Sequence, residues 1–424
     1  MSSSRFLVGI AVAISLLFVD ISLAQQAPAP PPVQPQQPQN TNPTNPPPPP
    51  PPSPVRAVPL PGDPVPPAQL PNVLKAAAGP NQEAIDAAVK SVCDMMADDT
   101  HPATQSACRD WLVLGLTDSN GNPDSAQFLQ MYSQSVNDNL LKLVKAPDAS
   151  IRLKILAGIV AARVGDASLN AETMDLSSQL MKDSSPAVVL VGVKAAAPVL
   201  PAAMVSPVFA ARAQPFAQEI AKAAIRNSHG PLQGSIVHFA YGALTPLYTY
   251  GPRIPGLAPL VSQMLLPVVL DLEGQRLQMY RKGPVGGASE DAAGFVELFD
   301  VNVWDAVNAK TQIAILQAFS DLVGLTSHWA QSNDPAAQAG HDDLINSLKL
   351  LGNIMAIFAN PANGPAPDPG LFTAGQLMEG LGTASPNAQI STSETAMWGS
   401  LSAFAKSKGG TGINPAPLVD DVGP

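Results

Sequence analysis

The stretch Lys182–Leu200, KDSSPAVVLVGVKAAAPVL, decides the fold. It begins with a polar turn and continues as an almost unbroken apolar run that contains Lys194, so it could be a buried strand, part of a membrane helix or one unit of a repeat. An earlier stretch, Lys145–Val164, KAPDASIRLKILAGIVAARV, aligns with it without gaps at an offset of 37 residues (182 − 145). This copy argues against an isolated strand, and Lys194 argues against a membrane segment. The sequence therefore favours a repeated unit.

Each of the two stretches follows a segment with helical spacing, VNDNLLKLV before the first and ETMDLSSQLM before the second. The turns between the segments, Ala146–Arg152 and Asp183–Val189, resemble the inter-helix turn of HEAT repeats, which is roughly Asp-Pro-Asp-Pro-x-Val-Arg. The first turn keeps Pro, Asp, the β-branched residue and Arg. The second keeps the first Asp, the second Pro and Val, but has Val189 in place of Arg. The resemblance covers residues 136–200 and implies an all-α chain coiled as a right-handed α-α superhelix, a HEAT- or armadillo-like solenoid.

Simple physical chemistry explains such a turn. Asp or Ser caps the second helix, Pro fits its first turn, and the β-branched residue, Ile151 or Val188, begins the buried face. Pro198 is expected to stop or kink the second helix of the later copy. An irregular helical bundle with two hairpins that are similar by chance is the alternative.

Helical spacing of apolar residues continues outside the two copies. It predicts helices over Gln82–Met96, Thr311–Leu325 and His341–Phe358, and a shorter amphipathic piece over Leu371–Leu381. The most apolar later stretch, Leu257–Leu272, is too short to span a bilayer and is interrupted by Gln263 and Pro267, so we expect a buried, kinked core helix.

The chain divides into four predicted regions. Residues 1–24 have a minimal positive start, an apolar run and small residues before Ala24, which together predict a signal peptide. Residues 25–72 are expected to form a disordered proline-rich spacer with extended polyproline II conformation, because proline fixes φ and removes the backbone donor. Residues 73–406 form the helical repeat domain, and 407–424 are expected to be a disordered tail. An uncleaved N-terminal anchor is the alternative to the signal peptide.

The overall composition excludes one class of partner. With a net charge of -10 and no cluster of Lys or Arg, the chain repels phosphate backbones, so we expect no nucleic-acid binding. Export would also place the chain in an oxidising compartment. We therefore expect the two cysteines, Cys93 and Cys108, to form a disulfide. Two buried free thiols are the alternative.

The sequence carries no recognisable catalytic motif. None of the five histidines lies in a zinc-ligand spacing, and we predict neither a metal site nor a cofactor. The most polar-aromatic neighbourhood lies in IVHFAYGALTPLYTYGPR, where exposed Tyr and Arg would be typical binding anchors. We take its members as candidate binding residues, with burial in the core as the alternative: His238, Tyr241, Tyr248, Tyr250 and Arg253.

These observations favour a non-enzymatic scaffold. We expect an exported protein, periplasmic or extracellular and most consistent with a bacterial envelope, with no membrane span after signal cleavage. As in HEAT-like proteins generally, its solenoid surface would bind a protein or peptide partner in the cell envelope. The alternative is an all-α enzyme acting on a cell-envelope polymer, for which Asp98, Asp99, His101 and His238 would have to converge.

Overall fold

The computed structural model describes residues 62–70, 75, 80–116, 125–230 and 232–414. Within these ranges the chain is all-α and contains no strand, which confirms the predicted class. Val58–Pro424 forms one compact unit. The predicted signal peptide, the spacer as far as residue 61 and the tail from residue 415 lie outside the described residues.

The described residues form eighteen α-helices and one π-helical segment. In chain order they are α1 (Gln82–Met96), α2 (Pro102–Leu114), α3 (Ala126–Val144), α4 (Ile151–Ser168), α5 (Met174–Met181), α6 (Pro186–Val205), α7 (Ala210–Arg226), α8 (Gln233–Leu244), α9 (Leu247–Tyr250), α10 (Leu257–Leu260), the π segment (Val261–Leu265), α11 (Leu266–Tyr280), α12 (Ala288–Leu298), α13 (Val301–Trp304), α14 (Ala309–Ala330), α15 (Pro335–Ala339), α16 (His341–Phe358), α17 (Pro369–Glu379) and α18 (Asn387–Ser407). Two of the predicted helices, Gln82–Met96 and His341–Phe358, have the predicted bounds.

The longer helices pack as two layers. In one layer α1, α3, α5, α7, α11, α14 and α18 each contact the next helix in that order. In the other layer α2, α4, α6, α8, α12, α16 and α17 do the same. Antiparallel partners such as α3 with α4 and α5 with α6 join the layers, and the apolar core lies between them. This succession is compatible with a helical repeat and continues beyond Leu200, where the sequence resemblance ends.

The two aligned copies, α3–α4 and α5–α6, pack directly on each other. Gly158 and Gly165 of α4 face α6, where a Cβ atom would lie 2.4 Å from Val191 and 3.0 Å from Pro198. Gly192 of α6 faces α5 in the same way, with the backbone nitrogen of Met181 2.8 Å from an added Cβ. These glycines allow the helix axes to approach closely, because any side chain at these positions would meet its neighbour.

The turns of successive hairpins are joined by hydrogen bonds. Ser150, which caps α4 by accepting from the backbone N–H of Leu153, also donates to Asp99 in the preceding turn at 2.9 Å. Lys154 reaches Asp183 in the following turn, also at 2.9 Å. The bonds therefore connect three consecutive turns along one edge of the layers.

The first residue of the two aligned apolar runs behaves differently in the two copies. Val188 is fully buried, as predicted, but Ile151 is 55% exposed, so the prediction that it begins the buried face is wrong. Leu153 and Leu156 supply the buried face of α4 instead. The two hairpins have similar turns, but their second helices are rotated differently about their axes, so different positions face the core.

Of the two outcomes predicted for Pro198, a stop or a kink, the stop does not occur. Helix α6 runs through Pro198 and Pro201 to Val205, and both prolines are buried. Gly165 of α4 leaves room for the Pro198 ring. Because α6 packs against α4, α5, α7 and α8, these contacts hold the helix together where two backbone hydrogen bonds are lost.

Helix α11 is the end of a longer helical run that starts at Leu257 and passes through the π segment. The backbone N–H of Leu266 donates to the carbonyl of Val261, one residue further back than in an α-helix. Pro267 explains the local widening, since its ring crowds the carbonyl four residues earlier. By length and composition, Pro186–Val205 and Leu257–Tyr280 could each cross a membrane, but 72% and 50% of their apolar windows are buried inside the protein, as in core helices.

The predicted disulfide is not formed. Cys93 on α1 and Cys108 on α2 are both free and buried. Each side chain lies in the apolar core of the first hairpin, where a thiol behaves as a small apolar group. Burial raises the pKa of the Cys93 thiol, and it raises the pKa of Cys108 to about 11. The alternative of two buried thiols is the correct one.

Candidate functional site

The candidate site lies on the layer that contains α6, α8, α12 and α16. Three polar side chains on successive helices of this layer are half-buried: Lys194 on α6, His238 on α8 and Glu290 on α12. The Nδ1 atom of His238 lies 4.0 Å from Oε1 of Glu290. The ammonium of Lys194 lies 4.1 Å from the centre of the Phe239 ring, within cation–π range. The site thus combines a cation, an imidazole and a carboxyl.

Asp343, in the first turn of α16, fixes the beginning of α12. Its carboxylate accepts hydrogen bonds from the backbone N–H groups of Gly287, Ala288 and Ser289, at 3.1, 2.9 and 3.1 Å. Gly287 has φ +88, a conformation that a side chain would strain. A carboxylate on the free N–H groups of a helix start is favourable. The cap places Glu290, in the first turn of α12, beside His238.

An ion pair is buried beneath this surface, between α11 and α12. Arg276 donates from Nε to Oδ1 of Asp291 at 2.8 Å and from Nη2 to Oδ2 at 2.7 Å, and both side chains are 0% exposed. Tyr280 donates its hydroxyl to Oδ2 of Asp291 at 2.9 Å. Nη2 of Arg276 also donates to the carbonyl of Gly286 at 2.8 Å, so the pair holds the α11–α12 loop.

Two more polar side chains, Tyr241 and Glu273, are buried next to the ion pair. Both pack against Gly294, where a Cβ atom would lie 2.6 Å from the Tyr241 ring and 2.7 Å from Oε1 of Glu273. Within the described part of the chain, neither the Tyr241 hydroxyl nor the Glu273 oxygens make a hydrogen bond of good geometry, although the two groups are close enough to change each other's pKa. Burial, and then the charge of Asp291, raises the pKa of Glu273 well above its usual range. A protonated Glu273 avoids placing an uncompensated charge beside the buried ion pair.

Burial also changes the proton affinity of the surface groups. Burial, reinforced by Asp343, raises the pKa of Glu290 to about 7. Burial, followed by the charge of Lys194, lowers the pKa of His238, and burial lowers the pKa of Lys194. Near neutral pH, Glu290 can therefore take up or release a proton beside an uncharged imidazole. Such perturbed groups cluster at functional sites more often than elsewhere.

The five residues predicted from the sequence fall into three places. His238 belongs to the surface site, and Tyr241 lies buried beside Glu273. Tyr248 donates its hydroxyl to Asp300 at 3.0 Å, in a separate cluster with Glu297. Tyr250 is buried, and Arg253 is exposed and pairs with Asp166 at the end of α4 at 2.8 Å. The structure therefore brings His238 and Tyr241 to one region and the other three to different neighbours.

The four residues that the alternative enzymatic hypothesis needs also lie in two separate places. Nδ1 of His101 lies 2.9 Å from Asp98, and Asp99 accepts from Gln105 and Ser150, all near the α1–α2 turn. Hydrogen bonds from Thr100, with His101 adding to them, lower the pKa of Asp98 to about 2. His238 lies instead on α8, with Glu290 as its acidic neighbour.

Apart from Tyr241, the sequence does not predict the buried members of the site. Glu273, Arg276 and Tyr280 are spaced by three and four residues, so they share one face of α11 with Val269 and Leu277. Polar residues on a helix face that is otherwise apolar are a usable signal, because they need buried partners. No sequence signal points to Asp291 as that partner.

Comparisons with known proteins add no relative. Neither a scan against protein-family models nor a search of curated proteins gives a match. Among the side chains that the structure describes, no group of three or more His, Cys, Asp or Glu could hold a metal ion.

Proposed function

We propose that the chain is a non-enzymatic HEAT- or armadillo-like α-solenoid that binds a protein or peptide partner. The observation that carries the proposal is the order of helix contacts, since helices of each layer contact their neighbours in succession from α1 to α18. In a solenoid each repeat contacts only adjacent repeats and together they expose a long continuous surface. We further propose that the superhelix is right-handed and that the protein is exported, in keeping with the N-terminal sequence.

Hydrogen bonds between neighbouring hairpins support the repeat. Asn137 of α3 accepts from the backbone N–H of Leu176 in α5, 39 residues later. Ser178 of α5 donates to Glu219 of α7, 41 residues later. Arg226 at the end of α7 donates to the carbonyl of Met181 after a similar interval, 45 residues. Each bond spans about one helical hairpin, the separation that stacked repeats require.

The partner surface that we propose is the one formed by Lys194, His238 and Glu290. These groups lie on successive helices of one layer, so an extended partner could contact all three. Each is half-buried and retains polar atoms at the surface. Partly desolvated charges beside an aromatic ring are typical of binding anchors, because their interactions are weakly screened.

A charge reversal tests the surface. Affinity purification of the full chain from a cell-envelope fraction should recover a partner, and Lys194→Glu should lower its recovery at least tenfold. Lys222→Glu is the matched control, because Lys222 is exposed on α7 in the other layer. Circular dichroism of both variants checks that they remain folded. Equal recovery with both variants, or no partner above background, would refute the proposed surface.

A further inference from the structure

The last part of the proline-rich region lies against the first hairpin. Residues 63–70, DPVPPAQL, form neither helix nor strand and run along α2. Thr104 donates its hydroxyl to the carbonyl of Pro64 at 2.8 Å, and Trp111 donates its indole N–H to the carbonyl of Pro67 at 2.9 Å. Gln69 returns a hydrogen bond from its side chain to the carbonyl of Trp111 at 3.2 Å. This part of the predicted spacer is therefore held by α2.

The two donors on α2 match the repeat of an extended proline-rich chain. Thr104 and Trp111 are seven residues apart, two helical turns or about 10 Å along one face. The carbonyls that they bind, on Pro64 and Pro67, are three residues apart, one polyproline II turn or about 9 Å. Because proline has no N–H, its carbonyl is the backbone group available for recognition. The distance between the two donors on α2 therefore matches the distance between carbonyls on successive turns of a polyproline II helix.

The ends of the segment are held by different chemistry. Leu70 is buried in the apolar core with residues of α1 and α2. At the other end, Oδ1 of Asp63 lies 4.0 Å from Nε2 of His101, beside the start of α2. Pro64 and Pro67 themselves remain exposed, so their carbonyls rather than their rings are recognised. One apolar anchor and a few hydrogen bonds hold the segment.

We propose that this face of α2 is a recognition site for an extended proline-rich peptide, and that residues 63–70 occupy it in cis. Aromatic-lined grooves bind polyproline II ligands, and an indole N–H that donates to a prolyl carbonyl is one contact that such a surface can make. Proline also keeps the ligand extended before binding, which lowers the entropy cost. The site goes beyond the function proposed above, since it uses neither Lys194, His238 nor Glu290.

The test uses the full chain and a fluorescein-labelled synthetic peptide with the sequence of residues 62–72. The tethered segment competes at an effective concentration near millimolar, so binding to the unmodified chain should be weak. Leu70→Asp removes the anchor and should strengthen peptide binding at least tenfold by fluorescence anisotropy. Leu70→Ala serves the same purpose if circular dichroism shows that the aspartate variant is unfolded.

Substitutions on α2, made in the chain that already carries the Leu70 substitution, identify the binding site. Thr104→Val removes one hydroxyl at constant size and should weaken the peptide about fivefold, whereas Thr104→Ser should retain binding. Trp111→Phe should weaken it by a similar factor. Trp398→Phe is the matched control, because Trp398 donates in the same way to the carbonyl of Ile413, at the other end of the chain.

Two results would overturn the proposal. If the chain with the Leu70 substitution does not bind the peptide, the contact is a fixed part of the fold. If a peptide with alanine in place of Pro64, Pro66 and Pro67 binds equally well, the site does not recognise proline. Binding that Thr104→Val and Trp111→Phe weaken, and Trp398→Phe does not, establishes it.

Discussion

Helices α3–α6 and helices α8, α11, α12 and α16 are packed by different chemistry. The first group is joined by apolar side chains and by glycines that let backbones approach, and the Lys154–Asp183 ion pair lies at its turns. The second group buries the Arg276–Asp291 ion pair completely, with Glu273 beside it. Apolar contacts hold helices together without fixing one arrangement, whereas a buried ion pair tolerates few alternatives. We infer that the buried pair fixes how α12 sits on α11.

The largest expected effect is loss of one partner of the buried pair. Arg276→Met leaves Asp291 buried without its cation and should lower the free energy of unfolding by about 3 to 5 kcal/mol. Urea denaturation followed by circular dichroism measures it. Replacing both residues, Arg276→Met with Asp291→Leu, should restore much of the loss, because no charge is then left unpaired. A single variant as stable as the unmodified chain would show that the pair is not buried in solution.

The second effect concerns space around Gly294. Gly294→Ala should destabilise the protein by about 2 kcal/mol, because the added methyl group meets the buried Tyr241 ring and Glu273. Gly242 on α8 has no atom within 4 Å of an added Cβ, so Gly242→Ala should be neutral or stabilising by up to about 1 kcal/mol. Thermal unfolding of both variants makes the comparison, and equal shifts in Tm would contradict it.

The third effect depends on pH. The folded-state pKa of Glu290, about 7, lies above its unfolded value, so the folded state holds the proton more tightly. Its contribution to stability is complete below the unfolded pKa and is lost as the pH rises to about 7. Asp343, Asp291, Arg276 and His238 surround the group and remain in the variant. Glu290→Gln cannot ionise, so it should be more stable than the unmodified chain at pH 8 by about 1 to 2 kcal/mol and similar at pH 4.

Glu83→Gln is the control for this experiment, because Glu83 is exposed on α1. It should shift the urea midpoint by the same small amount at both pH values. If Glu290→Gln behaves in the same way, Glu290 is more exposed in solution than the structure has it.

The smallest expected effect on stability is at an ion pair in the first group of helices, α3–α6. Lys154 and Asp183 form an ion pair whose side chains are 22% and 14% exposed. Because both side chains keep some contact with water and Asp183 keeps its hydrogen bond from the backbone N–H of Ser185, Lys154→Met should cost about 1 kcal/mol in urea denaturation, less than Arg276→Met. A loss as large as that of Arg276→Met would remove the contrast between the two regions.

The features that the sequence predicts correctly are those that depend on neighbouring residues in the chain. The bounds of α1 and α16 follow from three- and four-residue spacing of apolar residues, which is set within each helix. The hairpins α3–α4 and α5–α6 were found because a turn between adjacent helices uses residues that are adjacent in sequence. These features need no knowledge of distant partners.

What was missed depends on partners from other helices. Arg276 and Asp291 meet across a loop, and a charged residue on an apolar helix face does not reveal which carboxylate will pair with it. The five predicted binding residues are close in sequence, but they lie on α8, on α9 and in the turn after α9, so they diverge in space. Likewise, the spacing of Cys93 and Cys108 permits a disulfide, but the packing of α1 on α2 leaves the two sulfur atoms beyond bonding distance.

The two buried thiols have a practical consequence. With a pKa of about 11, roughly one Cys108 side chain in a thousand would be a thiolate at pH 8, and burial suppresses Cys93 further. Alkylation by a thiol reagent then requires the α1–α2 hairpin to open. The labelling rate therefore reports how often this hairpin opens, without any added probe, and comparison with the rate of global unfolding shows whether it opens alone.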